Sequence, residues 1–298
     1  MSGGRALRAV RAPLSFLARW NLLLALGMTA FTAAIQALAG TRPEPLAPLV
    51  VFLTLYSIYT VDRVADSGAD ALTHPERASF SRTNARLMRR TAIAAYALAL
   101  AAAWAHAGPR GTAAALLPLG AVLLYSFPFL PPRLARRAGF SRLKEVLVLK
   151  NVVVAATLAA TATLQVALGG AHAPAARATL AAAGAFLFGR WWINSLTFDL
   201  RDEEGDRANG IRTVPVVLGR TRTLRLLHGG NALVGAATLA APLLLPLRPE
   251  FALLAWSSVY AWAYLRALGA GGDPHFLCDV VADGELLVLA AVVLPAAL

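Results

Sequence analysis

Four uncharged, largely apolar runs decide what this chain can become. Residues 20–41, 111–132, 151–176 and 226–247 each exceed the ~18 apolar residues that mark a bilayer span. A segment in lipid has no water to satisfy its backbone N–H and C=O groups, so each run must be a helix. Composition agrees: 58% of the 298 residues are apolar and only 15% are charged, where a soluble domain carries about a quarter. These features exclude a secreted disulfide scaffold, a DNA-binding domain and a disordered chain. The lone Cys278 permits no internal disulfide.

Including shorter apolar stretches gives nine spans, near residues 17–39, 45–62, 90–108, 112–130, 146–168, 177–198, 224–246, 250–266 and 277–297. The second, eighth and ninth have uncharged cores shorter than about 20 residues. The expected fold is all-α, a polytopic membrane bundle of nine transmembrane helices in one domain over residues 1–298, with 1–16 as an N-terminal segment. An acidic cluster follows span two and another follows span six, so the chain reads as two four-helix pseudo-repeats plus a ninth helix.

The net charge of +12 does not imply nucleic acid, because the basic residues lie in short patches between apolar runs. Twenty-three fall on the side of the N-terminus and four on the other (Arg42, Arg110, Arg177 and Arg248), while Arg190 lies inside span six. Basic residues concentrate in cytoplasmic loops. The expectation is a cell-membrane protein with a cytoplasmic N-terminus and the C-terminus on the opposite side. The first run is longer than the ~7–15 residues of a signal-peptide core, so it is expected as a span and not as a cleaved leader.

The first acidic cluster is Asp62-Arg63-Val-Ala-Asp66-Ser-Gly-Ala-Asp70. Steps of four turn a helix by only ~40°, so the three carboxylates share a face if the helix persists. The second is Asp199-Leu-Arg-Asp202-Glu-Glu-Gly-Asp206, whose steps of three and four do the same. With four spans between them, both clusters emerge on one membrane side. Stacked carboxylates repel, and near the bilayer core each charge costs ~3 kcal/mol. Hard divalent cations offset this with oxygen ligands, and Mg²⁺ takes one or two carboxylates plus phosphate oxygens. The pattern suggests a Mg²⁺–diphosphate site; a solvated acidic helix end and a transporter's cation or proton pathway remain alternatives.

The second cluster continues as Asp206-Arg-Ala-Asn-Gly210-Ile-Arg212-Thr213-Val-Pro215. The whole segment resembles the second aspartate-rich motif of the UbiA superfamily of intramembrane prenyltransferases, D-x-x-D-x-x-x-D followed by G-[IK]-[RK]-T-[LV]-P. Leu124-Tyr125-Ser126-Phe-Pro128 with Pro131-Pro132-Arg133 is similar to that family's tyrosine–proline segment. Lys144 and Lys150-Asn151 fall where it places basic residues before the fifth helix. The first motif departs: Asp62-Arg63 stand where Asn-Asp is usual, which moves one carboxylate back a residue and ~100° around the helix.

The resemblance implies an integral-membrane prenyltransferase that binds an isoprenyl diphosphate donor and passes its isoprenyl group to a small-molecule, usually aromatic, acceptor. It implies Mg²⁺ held by Asp62, Asp66, Asp70, Asp199, Asp202 and Asp206 as the catalytic and metal-binding set. Arg63, Lys144, Lys150 and Arg212 are then diphosphate-binding candidates, and Tyr125, Asn151 and Asn194 candidates for the substrate chamber. A terpene cyclase of the same superfamily and a cation-coupled transporter are the competing readings. Arg190, an intramembrane cation, is either functional or an interhelical pair. Asp279, Asp283 and Glu285 read as a solvated or arginine-paired helix start, and the five histidines show no ligand spacing.

Overall fold

The computed structural model describes residues 11, 13–67, 74–126, 131, 133, 147–170 and 173–298, and all regular structure among them is helical. Asp70 and Lys144 lie outside the described residues, as do the side chains of Asp66 and Tyr125.

The first expected span is broken. α1 (Pro13–Arg19) meets α2 (Leu22–Leu38) at 88°, and the chain turns at Asn21, whose φ is 57°. Asn tolerates the left-handed region better than most residues. Leu14, Leu17 and Ala18 of α1 pack on Leu23, Phe276 and Val280, so α1 lies across the end of the bundle. α3 (Leu46–Asp66) begins where the Glu44 carboxylate accepts from the amides of Leu46 and Ala47 at 2.9 and 2.8 Å, satisfying donors that every helix start leaves over.

α4 (Pro75–Ser126) is two helices folded back at Ala107 and Gly108, the latter at φ 58°. Tyr96 donates its hydroxyl to the Ala115 carbonyl at 3.0 Å; on a straight helix these residues would stand about 28 Å apart. The reversal needs a bare backbone at Gly111, where a Cβ would sit 2.2 Å from the Ala103 carbonyl oxygen. The first limb starts well before the expected span at residue 90. Pro75 suits the first helical turn, and buried Ala78, Ser81, Met88, Ala92, Ala95, Ala99 and Ala103 recur at helical spacing, so the charged connection coils along with the span.

The second half comprises α5 (Leu149–Leu168), α6 (Pro174–Arg201), α7 (Glu203–Ala208), α8 (Val214–Leu218), α9 (Arg220–Leu244), α10 (Trp256–Gly269) and α11 (Glu285–Ala297). A 3₁₀ turn, Pro249–Ala255, leads into α10, and a π turn, Leu277–Ala282, precedes α11. Among the described residues, Leu46–Ala65, Pro75–Leu123, Leu149–Leu168 and Arg220–Leu244 are long and apolar enough to cross a bilayer, and the bent α1–α2 pair makes a fifth candidate. Nine crossings require α4 to count twice, α6 to cross as well, and each of these two turns to extend the short helix after it.

The core joins α2, α3, α5, α6 and α11 around Met28, Phe31, Leu55, Leu187 and Val293. Outside, the pattern inverts that of a soluble protein: Ile93 is 68% exposed, Leu233 71% and Leu243 85%, apolar surface that lipid covers without cost. Arg190 is the interhelical pair, not a lone functional cation. Its guanidinium meets Glu285 of α11 at 2.7 Å and Asn231 of α9 at 2.6 Å, and Tyr264 of α10 donates to Glu285 at 3.2 Å. One buried network thereby ties four helices.

Candidate active site

A cavity of about 460 Å³ opens where α3 and α6 end. Asp62 comes to it from the last turn of α3, Asp199 from the last turn of α6, Asp202 from the residue that ends α6, and Asp206 from α7. The cationic side chains Arg63, Arg77, Lys150 and Arg201 share this mouth, whereas Leu24, Leu55, Val154, Leu158 and Trp191 line the depth. The cavity is charged at one end and apolar at the other.

Asp199, almost wholly buried, accepts from Lys150 Nζ at 2.6 Å and from Asn151 Nδ2 at 3.0 Å. Asn151 also donates to Ser195 Oγ at 2.8 Å. The start of α5 is thus pinned to the end of α6 through one carboxylate. Asp202 takes Arg201 Nε and Nη2 at 2.7 and 2.8 Å, a two-pronged grip, and His74 Nε2 at 2.8 Å. Burial pushes the Asp202 carboxyl up, but Arg201 and His74 outweigh it and hold the group well below the usual carboxylate range. Arg201 also bonds Asp279.

Asp206 behaves differently. Burial is the main effect on its carboxyl, and with Asp199 and Asp202 near it this outweighs Lys150 and pushes the group up to about 6. The wholly buried Thr213 faces Asp206 and favours its charged form without closing a full hydrogen bond.

Apart from His74, these side chains are oxygen donors or cations. Among the described residues no three His, Cys, Asp or Glu groups converge to enclose a metal ion. The set fits a hard cation that takes one or two carboxylates and completes its shell with phosphate oxygens and water; it does not fit a preformed all-protein cage.

The sequence matches the model of the UbiA prenyltransferase family over residues 15–272. The chain belongs to that family. The bundle is similar to a UbiA homolog from Archaeoglobus fulgidus solved bound to GPP and Mg²⁺, at 18% identity and a TM-score of 0.62, covering 94% of this chain and 99% of that one. It is similar to the same homolog bound to DMAPP and Mg²⁺, at 17% identity and a TM-score of 0.61, covering 94% and 98%. No curated protein gives a significant match.

Within this UbiA fold the residues singled out from sequence separate. Asp62, Arg63, Lys150, Asn194, Asp199, Asp202 and Asp206 line one cavity, and Asn151 braces Asp199 from behind its wall. Arg212 is exposed and outside the wall; of the Gly210–Pro215 segment, Thr213 turns toward the carboxylates instead. Arg63 Nη1 donates to the carbonyls of Ala18 and Arg19 at 2.8 and 3.0 Å, closing the end of α1 where helical partners run out.

Sequence reasoning missed His74, His275, Arg77 and Arg201. His74 Nδ1 meets His275 Nδ1 at 3.0 Å, so two histidines 201 residues apart link the chain before α4 and the chain before α11 to Asp202. No spacing rule reveals such a pair. Arg201 was in plain view between two motif aspartates. Asp279 is arginine-paired as expected, while Asp283 joins the cavity wall.

Proposed function

We propose that this UbiA-family protein is an integral-membrane prenyltransferase that transfers the isoprenyl group of an isoprenyl diphosphate to a small-molecule acceptor with an electron-rich aromatic ring. One observation carries the reading: carboxylates from both acidic motifs and four cations share the mouth of a cavity whose depth is apolar. Such a division suits an amphiphile with a diphosphate head and a hydrocarbon tail. The DMAPP, GPP and Mg²⁺ of the archaeal homolog's structures agree with it.

Asp62, Asp199, Asp202 and Asp206 would hold Mg²⁺, together with Asp66 and Asp70 of the first motif. When bound, the cation neutralises charge that builds on the diphosphate as the allylic C–O bond ionises. Lys150 lies on Asp199 and can pass to a phosphate oxygen, with Arg77 and Arg201 beside it. The walls formed by Leu55, Val154 and Leu158 keep water from the carbocation. The acceptor ring attacks the allylic carbon, the C–O electron pair leaves with the diphosphate, and the ring sheds a proton. The excess of basic residues at the acidic end orients the mouth to the cytoplasm, with nine spans carrying the C-terminus to the other side of the cell membrane.

The test is purified protein with Mg²⁺, dimethylallyl, geranyl, farnesyl or geranylgeranyl diphosphate and a panel of aromatic acceptors, with products read by mass spectrometry. Mg²⁺-dependent diphosphate release with a prenylated product is expected. A cyclised hydrocarbon formed without acceptor would assign a cyclase, and no release with any donor would contradict the proposal.

A further inference from the structure

The depth of the cavity can be read on three helices independently. On α6, Trp191 lies eight residues below Asp199; on α5, Leu158 lies eight below Lys150; on α3, Leu55 lies seven below Asp62. At 1.5 Å per residue these intervals are about 10 to 12 Å. All six residues line the cavity, so the three estimates describe one space between a charged mouth and an apolar floor.

The floor is solid. Trp191 is 4% exposed and Leu55 is fully buried. Beneath them Met28, Phe31, Phe186 and Leu187 belong to the same continuous core. The Phe31 and Phe186 rings pack 5.7 Å apart, and interiors packed this way leave no room for further carbons without side-chain displacement.

We propose that the donor is short, ten carbons or fewer in its isoprenyl chain, and that Trp191 sets this limit. The inference rests on the prenyltransferase reading and names its donor class. Each five-carbon unit adds four bonds of about 1.5 Å, or about 5 Å of extended chain. With the diphosphate at the carboxylates, a geranyl tail of about 10 Å reaches the floor; farnesyl and geranylgeranyl tails, about 15 and 20 Å, pass through it. Trp191 is the largest side chain at the floor, and Leu158 of α5 is the smaller wall beside it.

The experiment is a donor ladder with the full-length protein in detergent and saturating Mg²⁺, measuring affinity and diphosphate release for the C5, C10, C15 and C20 diphosphates. The C20 donor is expected to bind at least about tenfold more weakly than the C10 donor, the scale of overfilling a packed site. Trp191→Ala should bring C15 and C20 toward the C10 value while C5 and C10 change less. Leu158→Ala should move the preference in the same direction by a smaller step. Equal affinity of the wild type for C10 and C20 overturns the length limit alone, leaving the prenyltransferase reading intact, and needs no variant to fold. An unchanged ladder in both folded variants removes Trp191 as its cause. Failure of every donor to bind overturns the limit and the prenyltransferase reading together.

Discussion

Two sets of buried ion pairs hold this bundle, and they differ in what adjoins them. Arg190 and Glu285 are enclosed by Asn231 and Tyr264 among four helices, away from the wall that carries the acidic motifs. Lys150–Asp199 and Arg201–Asp202 line that wall, with His74 bonded to Asp202 behind it. Desolvating an ion costs several kcal/mol, and only a close partner offsets it. The Arg190–Glu285 pair borders no part of the acidic cavity, and the space of about 250 Å³ beside Glu285 is lined mostly by apolar side chains, so its role is structural. The cavity pairs can trade a protein cation for a metal ion, or a protein carboxylate for a phosphate. Access to a ligand, not the pairing itself, separates the two.

The largest contrast is expected from neutral isosteres. Asp199→Asn or Asp202→Asn should cut turnover at least about a hundredfold, a loss of a few kcal/mol of transition-state stabilisation, while the thermal transition stays close to wild type. Glu285→Gln leaves Arg190 buried and uncompensated, and should cost about 3–5 kcal/mol of stability. If Asp199→Asn unfolded the bundle as readily as Glu285→Gln, the distinction would break.

Replacing both members sharpens it. Arg190→Met with Glu285→Leu should recover most of the stability lost in the single variant, because apolar side chains of similar volume replace buried ions at little or no cost. The matching pair Lys150→Met with Asp199→Leu should fold and stay inactive. Thermal melts and diphosphate release on the same preparations check both statements.

A smaller effect is expected at His74. Removing one charge-assisted bond to Asp202, worth about 1.5–3 kcal/mol, should lower turnover about tenfold in His74→Ala, and by less in His275→Ala, which acts one ring further away. Smallest is Arg63→Gln. The guanidinium is committed to two carbonyls of α1, so stability should fall by about 1–2 kcal/mol while the donor constant at saturating Mg²⁺ moves less than about threefold. A tenfold loss of donor affinity there would move Arg63 into the diphosphate site.

Helical class and the meeting of the acidic motifs were legible because both follow from spacing along one chain: apolar runs long enough for lipid, and carboxylates at steps of three and four. What was hidden depends on contacts between distant segments or on single backbone angles. The bend at Asn21 is one residue's φ, invisible in an uninterrupted apolar run. The coiled connection from Pro75 is charged on its outer face, which masks the buried stripe of Ala78, Ser81 and Met88. Arg212 and Thr213 are neighbours in a motif, and only the local turn decides which faces Asp206. The eighth and ninth spans read as short because Glu250 and Arg266 bound one and Asp279, Asp283 and Glu285 interrupt the other; the 3₁₀ and π turns that begin them depend on packing partners elsewhere in the chain.

The central claim is that the two acidic motifs serve one donor. A double-mutant cycle on Mg²⁺-dependent binding of geranyl diphosphate, with Asp62→Asn, Asp199→Asn and the pair, tests it most directly. The account predicts that each single variant weakens binding about tenfold or more and that the pair loses little beyond the worse single, a coupling above about 1 kcal/mol. Losses that simply add, or binding untouched by Asp62→Asn, would contradict a shared site.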